Sequence, residues 1–514
     1  MRKLLLSLAV LSVIALPVAG CGGDDEAASA ASELVPAGAL VYAETTLDPE
    51  GDQKEAIDSI LAKFPGGGQA GEKLKDLIEK GMRESDAPVS FRKDIEPWLG
   101  GEAAFFASSF GQSGDPQAAA ALVATDDEDA ARETLEKAAE GKVTRKSYKD
   151  VDYITDEADE TNAGAVFDGF LAIGTEAGVK ASIDASKGDS KLTDDDAFKK
   201  AIEGAAGDRL GLFYVNTPEL LKTAQESGGA AALPGSFKQL FKEPVVATVD
   251  ADDDGVVIEA NVSGDLAKSF GLFGQGSDLL EELPADSWAA VAQTDLGKLL
   301  DYYVDAFAGA VGGRDTVRQQ LNAATGLDLQ RDVLDWMGDF GIFVRGASVA
   351  ELNGALVVET SDEQASGRFI AALERLAKGQ AGDDEVSIRP LAAPGGGDGF
   401  TVTGAGIPKP IHLFQRDGRV VFAYGDQAAA DGVDAGDKLG DDPDFTATRD
   451  SLGDYEVSFY VLMQPIFDLV DSTETAGDAD WQKAKPYLEP LSALVAGTSG
   501  NGDDLKSAFK LVVK

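Results

Sequence analysis

Cysteine and histidine each occur once in this chain, as Cys21 and His412, and that scarcity limits the chemistry open to it. Cys21 closes the run Val18-Ala19-Gly20-Cys21, which follows an apolar stretch from Leu4 to Val18 and the basic pair Arg2 and Lys3. Basic, then apolar, then small residues make a signal peptide ending in a lipobox, and the apolar run is too short to span a bilayer comfortably. Small side chains at Ala19 and Gly20 let a signal peptidase draw in extended backbone, and the Cys21 thiol would take a diacylglyceryl group. Two or three acyl chains on one cysteine, at about 0.8 kcal/mol per buried methylene, form an effectively permanent anchor. The sequence thus predicts a signal peptide over 1–20 and a lipidated cysteine with a flexible tether over 21–33. It predicts a protein held on the extracytoplasmic face of the cell membrane.

With a single cysteine, no intramolecular disulfide and no cysteine cluster for zinc is available. A Ser-His-Asp triad or a histidine metal site would have to be built on His412 alone. His412 lies in the run Ile411-His412-Leu413-Phe414, and aligning the two halves of the chain sets it opposite Ala163. A strand-packing or surface role is therefore expected. There is no Gly-x-Ser-x-Gly elbow, His-Glu-x-x-His helix or Walker sequence. Asp250, Asp252, Asp254 and Gly255 follow the first half of a calcium loop, with oxygen ligands at positions one, three and five and glycine at six. Position twelve is Asn261 in place of a bidentate glutamate, so an acidic hairpin turn at Asp254-Gly255 is expected, with no metal. Carboxylate-pair hydrolysis has no distinguishable pair among 90 acidic residues. No catalytic residue and no cofactor is assigned, and a non-enzymatic role is expected.

Those 90 acids face 45 basic residues, a net charge of -45. Phosphate-rich partners would be repelled, and no Lys/Arg stripe with interleaved aromatics exists to release counterions, so nucleic acid is not an expected partner. The acids are spread along the chain, as a solvated surface requires. A 44% hydrophobic composition supplies material for two cores.

The elements that must position any site repeat along the chain at an offset of some 240 to 250 residues. Val35-Pro36-Ala37-Gly38-Ala39 answers to Leu283-Pro284-Ala285-Asp286-Ser287, and Phe91-Arg92-Lys93-Asp94-Ile95-Glu96-Pro97-Trp98 to Leu329-Gln330-Arg331-Asp332-Val333-Leu334-Asp335-Trp336. Each half then offers an acidic helix start, with capping boxes expected at Thr125/Glu128 and Ser361/Gln364. Next come two apolar runs joined by Asp-Gly, at Asp168-Gly169 and Asp417-Gly418, a strong hairpin signal. Leu212-Phe213-Tyr214-Val215 matches Ser458-Phe459-Tyr460-Val461, each followed by a helix-opening proline, Pro218 or Pro465. Gly-rich segments at Pro65 to Gly68 and Pro394 to Gly397 read as loops. The expected class is α+β: two tandem homologous modules, 34–281 and 282–514, each a mainly antiparallel sheet covered by helices.

These Pro-Ala-(small)-(small) strand lead-ins at Pro36 and Pro284 resemble those of a family of envelope lipoproteins, common in actinobacteria and their relatives, known only as a domain of unknown function. The resemblance covers nearly the whole mature chain and implies an exported, membrane-tethered protein without an assigned activity. This sequence departs from the shortest members in carrying the module twice. Three functions fit. The first is a non-enzymatic protein offering a surface to an envelope protein or the cell wall. The second is a carrier or sensor of an apolar ligand such as a lipid, and the third a carboxylate-dependent hydrolase.

Overall fold

A computed structural model describes residues 28–514 apart from 86, 112–113, 140–141, 158–160, 204–208, 227–241, 264–273, 381–385, 392–397 and 502–503. The signal peptide, Cys21, the first part of the tether and the Pro394 to Gly397 segment lie outside the described residues. The described chain falls into two compact units, 28–262 and 274–514. Both are α+β, and every strand pairing described below is antiparallel.

The first unit carries β1 (Val41–Thr46), β2 (Leu99–Phe110), β3 (Pro116–Thr125), β4 (Val143–Tyr148), β5 (Val151–Asp156), β6 (Asn162–Phe167), β7 (Phe170–Thr175), β8 (Gly211–Val215), β9 (Val245–Asp252) and β10 (Gly255–Ser263). They pair in the order β4, β5, β6, β7, β3, β2, β1, β8, β9, β10. Side chains alternate across the sheet, so each face has its own core. Leu122, Ala165 and Ala172 face one way, with Tyr42, Phe106 and Tyr214; Val123, Val166, Leu171 and Ile173 face the other, with Trp98. The helix Glu176–Ser186 contributes Val179 and Ile183 to the first core, and the helix Glu128–Ala138 contributes Ala131 and Leu135 to the second.

The second unit carries β11 (Ala289–Gln293), β12 (Met337–Arg345), β13 (Asn353–Thr360), β14 (Val386–Pro390), β15 (Asp398–Gly404), β16 (Ile407–Arg416), β17 (Arg419–Tyr424), β18 (Glu456–Leu462), β19 (Leu491–Asn501) and β20 (Asp504–Val513). Their order is β14, β15, β16, β17, β13, β12, β11, β18, β19, β20, the same path strand for strand. Matching detail accompanies it. Pro36 bridges Lys191, and Pro284 bridges Lys438. Phe198 meets Tyr214 edge-on at 5.0 Å, and Phe445 meets Tyr460 edge-on at 5.0 Å. An edge-on pair adds about 0.5–1.5 kcal/mol beyond its burial.

Both Asp-Gly turns form as their chemistry demands. Asp168 and Gly169 have φ of 48° and 76°, Asp417 and Gly418 of 51° and 76°, between Phe167↔Phe170 and Arg416↔Arg419 pairs. The repeated Asp/Trp segments wind into wide turns at Phe91–Ile95 and Leu329–Leu334. In each, the aspartate turns back on the backbone amide four residues earlier, Ser90 at 2.7 Å and Asp328 at 2.9 Å. The Trp98 and Trp336 indole N–H groups donate to the Asp94 and Asp332 carbonyls.

Three expectations need correction. The helix caps are Asp127 and Asp362, whose carboxylates accept from the amides two and three residues on, and not Thr125 and Ser361. A carboxylate beats a hydroxyl here because it is charged at the positive end of the helix. Residues 31–33 do not belong to a loose tether, since Ala31 and Ser32 are fully buried in a short helix, Ala31–Leu34. Leu279 and Leu280 pack in the second unit's core, so its first described residues precede 282. Ala31–Leu34 and the helix Leu279–Glu282 occupy the same place before the Pro36 and Pro284 bridges.

Candidate functional site

A buried polar cluster surrounds the chain where it enters the first unit. Strand β1 turns Tyr42 and Glu44 to one face, and β2 brings Glu102 diagonally beside Glu44 through the pairs Glu44↔Ala104 and Thr46↔Glu102. Arg209, just before β8, forms an ion pair with Glu44; the two side chains are 6% and 7% exposed. Its carbonyl accepts from the Thr46 hydroxyl at 3.0 Å. From the incoming segment, the Ser29 hydroxyl donates to Glu44 and lies 2.9 Å from the Tyr42 hydroxyl, which also donates to Glu44. The Ala31 amide donates to Glu102 at 3.1 Å.

Arg209 thus pairs with Glu44 and acts on Glu102 through its charge. Burial pushes the Glu102 carboxyl above the usual range and the Glu44 charge adds to this, although Ser29, the Ala31 amide and Arg209 pull the other way. Burial, then Glu44, holds the Tyr42 phenol well above its ordinary value, so it stays a neutral donor. Every contact named here comes from the chain itself. In the second unit the Ser277 hydroxyl donates to Asp339 at 2.6 Å, matching Ser29 and β2's acid, but Ala292 stands where Glu44 does. The charged pair belongs to the first unit.

His412 is 6% exposed on β16, opposite Ala423 and Thr401. Its Nδ1 lies 3.0 Å from the Thr401 hydroxyl and its Nε2 2.9 Å from Asp426. The three residue types could compose a triad, but the disposition is reversed. A triad buries the carboxylate that orients the imidazole, whereas the Asp426 side chain is 83% exposed. His412 instead ties β15 and β16 to the start of the helix Asp426–Asp431.

Asp250 and Asp252 lie on β9, and Asp254 in the turn that leads to Gly255. The Asp252↔Gly255 pair makes Asp253 and Asp254 the turn residues, one earlier than expected, because the Asp252 carboxylate caps the turn by accepting from the Asp254 and Gly255 amides at 3.0 and 2.9 Å. Among the described residues, no three His, Cys, Asp or Glu side chains are grouped to hold a metal ion. Around the Asp417-Gly418 turn an open hollow of about 290 Å³ is lined by Thr360, Glu363, Asp398 and Gln415, a polar lining unsuited to an apolar ligand. Among the described residues, no helix is long and apolar enough to cross a membrane.

Sequence reasoning missed Glu44, Glu102 and Arg209. Their only local signal was an acid, Glu44, in a strand otherwise free of charge.

The chain belongs to the family described as "Protein of unknown function (DUF3352)", whose sequence model matches residues 4–387. That match runs through the interval between the units. No curated protein matches the chain. Among solved structures it is similar to TP0453 in crystal forms I and IV, at 11% identity and TM-scores of 0.24 and 0.25. Those alignments cover 47% of this chain and 79% and 81% of the other. At that distance the likeness carries no argument about function.

Proposed function

We propose that this is an exported lipoprotein, cut before Cys21, held on the extracytoplasmic face of the cell membrane, and acting there as a non-enzymatic binding protein for another envelope component. We further propose that its two units arose by tandem duplication. One observation carries the non-enzymatic part: the units have packing in common and differ in titratable chemistry. Trp98 and Trp336, Phe106 and Phe343, and the two Phe–Tyr pairs are equivalent core residues. His412, by contrast, takes the place of Ala163, and Glu44 that of Ala292. The shared acids, Asp94 with Asp332 and Glu102 with Asp339, are taken up by the chain itself: by backbone, by serines and, for Asp94 and Asp332, by Lys137 and by Arg331 and Arg368. A duplicated scaffold whose polar residues have diverged suits recognition better than one repeated reaction.

A second reading, a carrier of an apolar ligand, is favoured by Ile342, Leu356 and Phe422, which lie side by side across β12, β13 and β17. Ile342 and Phe422 are 40% and 49% exposed. Native mass spectrometry of the protein taken gently from its own envelope separates the two. An apo mass together with a reproducible crosslinked partner supports the first reading, whereas a bound lipid-sized mass replaces it with the second.

A further inference from the structure

We infer that the hollow beside the Asp417-Gly418 turn is a receptor site for an arginine side chain of a partner protein. The inference rests on the binding-protein reading and names the chemical group that such a partner would present.

The first unit shows what fills the same place there. Its helix Glu128–Ala138 and the second unit's helix Glu363–Gln380 start alike. Asp127 and Asp362 cap them, and the Thr125 and Thr360 amides donate to the Gly169 and Gly418 carbonyls at 2.9 and 2.8 Å. Glu128 thus corresponds to Glu363, and Arg132, one helical turn further on, to Gly367. The Arg132 guanidinium donates to Glu128 at 2.5 Å, to Asp129 at 2.8 Å and to the Val166 carbonyl at 3.4 Å. Glu128 also accepts from the Gly169 amide at 3.0 Å. In the first unit, the chain's own guanidinium occupies this corner.

The second unit keeps the acid and loses the cation. Its hollow of about 290 Å³ opens between Glu363, Asp398 and Gln415. A β-carbon on Gly367 would approach nothing closer than the Gln415 side-chain amide nitrogen at 3.5 Å, so there is room where Arg132 stands in the other unit. Among the described residues, the Glu363 and Asp398 carboxylates have no hydrogen-bond or ion-pair partner. The two arginines that line the hollow are already engaged, Arg416 with Asp417 at 3.1 Å and Arg419 with Glu282 and the Val433 carbonyl. An anion would therefore meet two unpaired carboxylates. A metal ion would lack ligands, since no three acids are grouped for one among the described residues. A guanidinium suits the space, because its planar fork can donate to two acceptors at once, as Arg132 does, whereas an ammonium is a point charge. The net charge of -45 would also steer a basic partner surface toward the chain.

The test is photolabelling of the full mature protein in phosphatidylcholine vesicles, at about 0.15 M salt to screen its general negative charge. The probe is a diazirine derivative of N-acetylarginine amide, and the control is the citrulline derivative, which has the same shape without the charge. The arginine probe should label the peptides carrying Glu363 and Asp417 above the rest of the chain, and excess N-acetylarginine amide should suppress that labelling. Glu363→Gln should reduce it about threefold or more, the scale of one exposed ion pair. Gly367→Arg, which restores the first unit's arrangement, should abolish it, while Gly367→Ala should leave it in place. Equal labelling by the citrulline probe, labelling unchanged in Glu363→Gln, or labelling that survives Gly367→Arg overturns the site. The crosslinked partner sought in the envelope reports the binding-protein reading separately, so a captured partner together with an unlabelled hollow overturns the arginine site alone.

Discussion

Replacing Arg209 with methionine keeps most of the side chain's length and removes the charge from the Glu44–Arg209 pair. Both side chains are more than nine-tenths buried, so Glu44 would be left beside Glu102 without its cation. Breaking a buried pair from one side costs about 3–5 kcal/mol. The Ser29 and Tyr42 hydroxyls still donate to Glu44, which sets the expected loss near the lower end, about 3 kcal/mol. With an m-value of about 2–3 kcal/mol/M in urea, the first unit's midpoint should drop by about 1–1.5 M. The second unit should not move, because Ala292 occupies the place of Glu44. Urea titration followed by hydrogen exchange resolves the units peptide by peptide, which matters because a two-unit chain need not unfold in one step. Adding Glu44→Gln to Arg209→Met should restore about 1 kcal/mol or more, because neighbouring sites couple. A midpoint within about 0.3 M of the parent at pH 7 refutes the reasoning.

Among the described residues the buried Tyr460 hydroxyl has no hydrogen-bond partner, so Tyr460→Phe should leave the melting temperature unchanged or raise it; a loss above about 1 kcal/mol would reveal an unrecognised partner. Gly418→Ala forces a β-carbon onto a backbone at φ 76° with nothing within 4 Å to clash, so only strain acts, and a cost of roughly 1–2 kcal/mol should appear in denaturant titration. The Tyr153 hydroxyl and Lys180 hold the Glu176 carboxyl down at about 2, against an ordinary value of 4.5. Its stabilisation is therefore complete above about pH 4.5 and lost as pH falls toward 2; acid titration of Glu176→Gln should show a flatter limb there, and an unaltered limb would contradict the pairing.

Local chemistry was legible in the sequence and tertiary partnership was not. Asp168-Gly169 and Asp417-Gly418 announced their hairpins because positive φ at both positions is a property of those residues alone. The Asp94–Trp98 and Asp332–Trp336 segments stood out by repetition, and their bonds close within four residues. Ala31 and Ser32 read as tether because alanine and serine carry no burial signal of their own; what buries them is packing against strands and helices that follow much later in the chain. Glu44, Glu102 and Arg209 looked like three of many surface charges, since Arg209 lies 165 residues from Glu44 and the Ala31 amide 71 from Glu102. His412 was expected to be dispensable to the architecture, which fits its replacement by a fully buried Ala163 in the other unit. Its bonds to Thr401 and Asp426 could not be foreseen, because Asp426 belongs to a helix beyond the next strand.

Mass spectrometry of the amino-terminal peptide from the protein as its own cells make it bears on the anchor that the rest depends on. The expected peptide begins at Cys21 and carries the mass of a diacylglyceryl group, and Cys21→Ala should release the chain from the membrane fraction. A peptide that retains any of residues 1–20, or a mature Cys21 with an unmodified thiol, would contradict it.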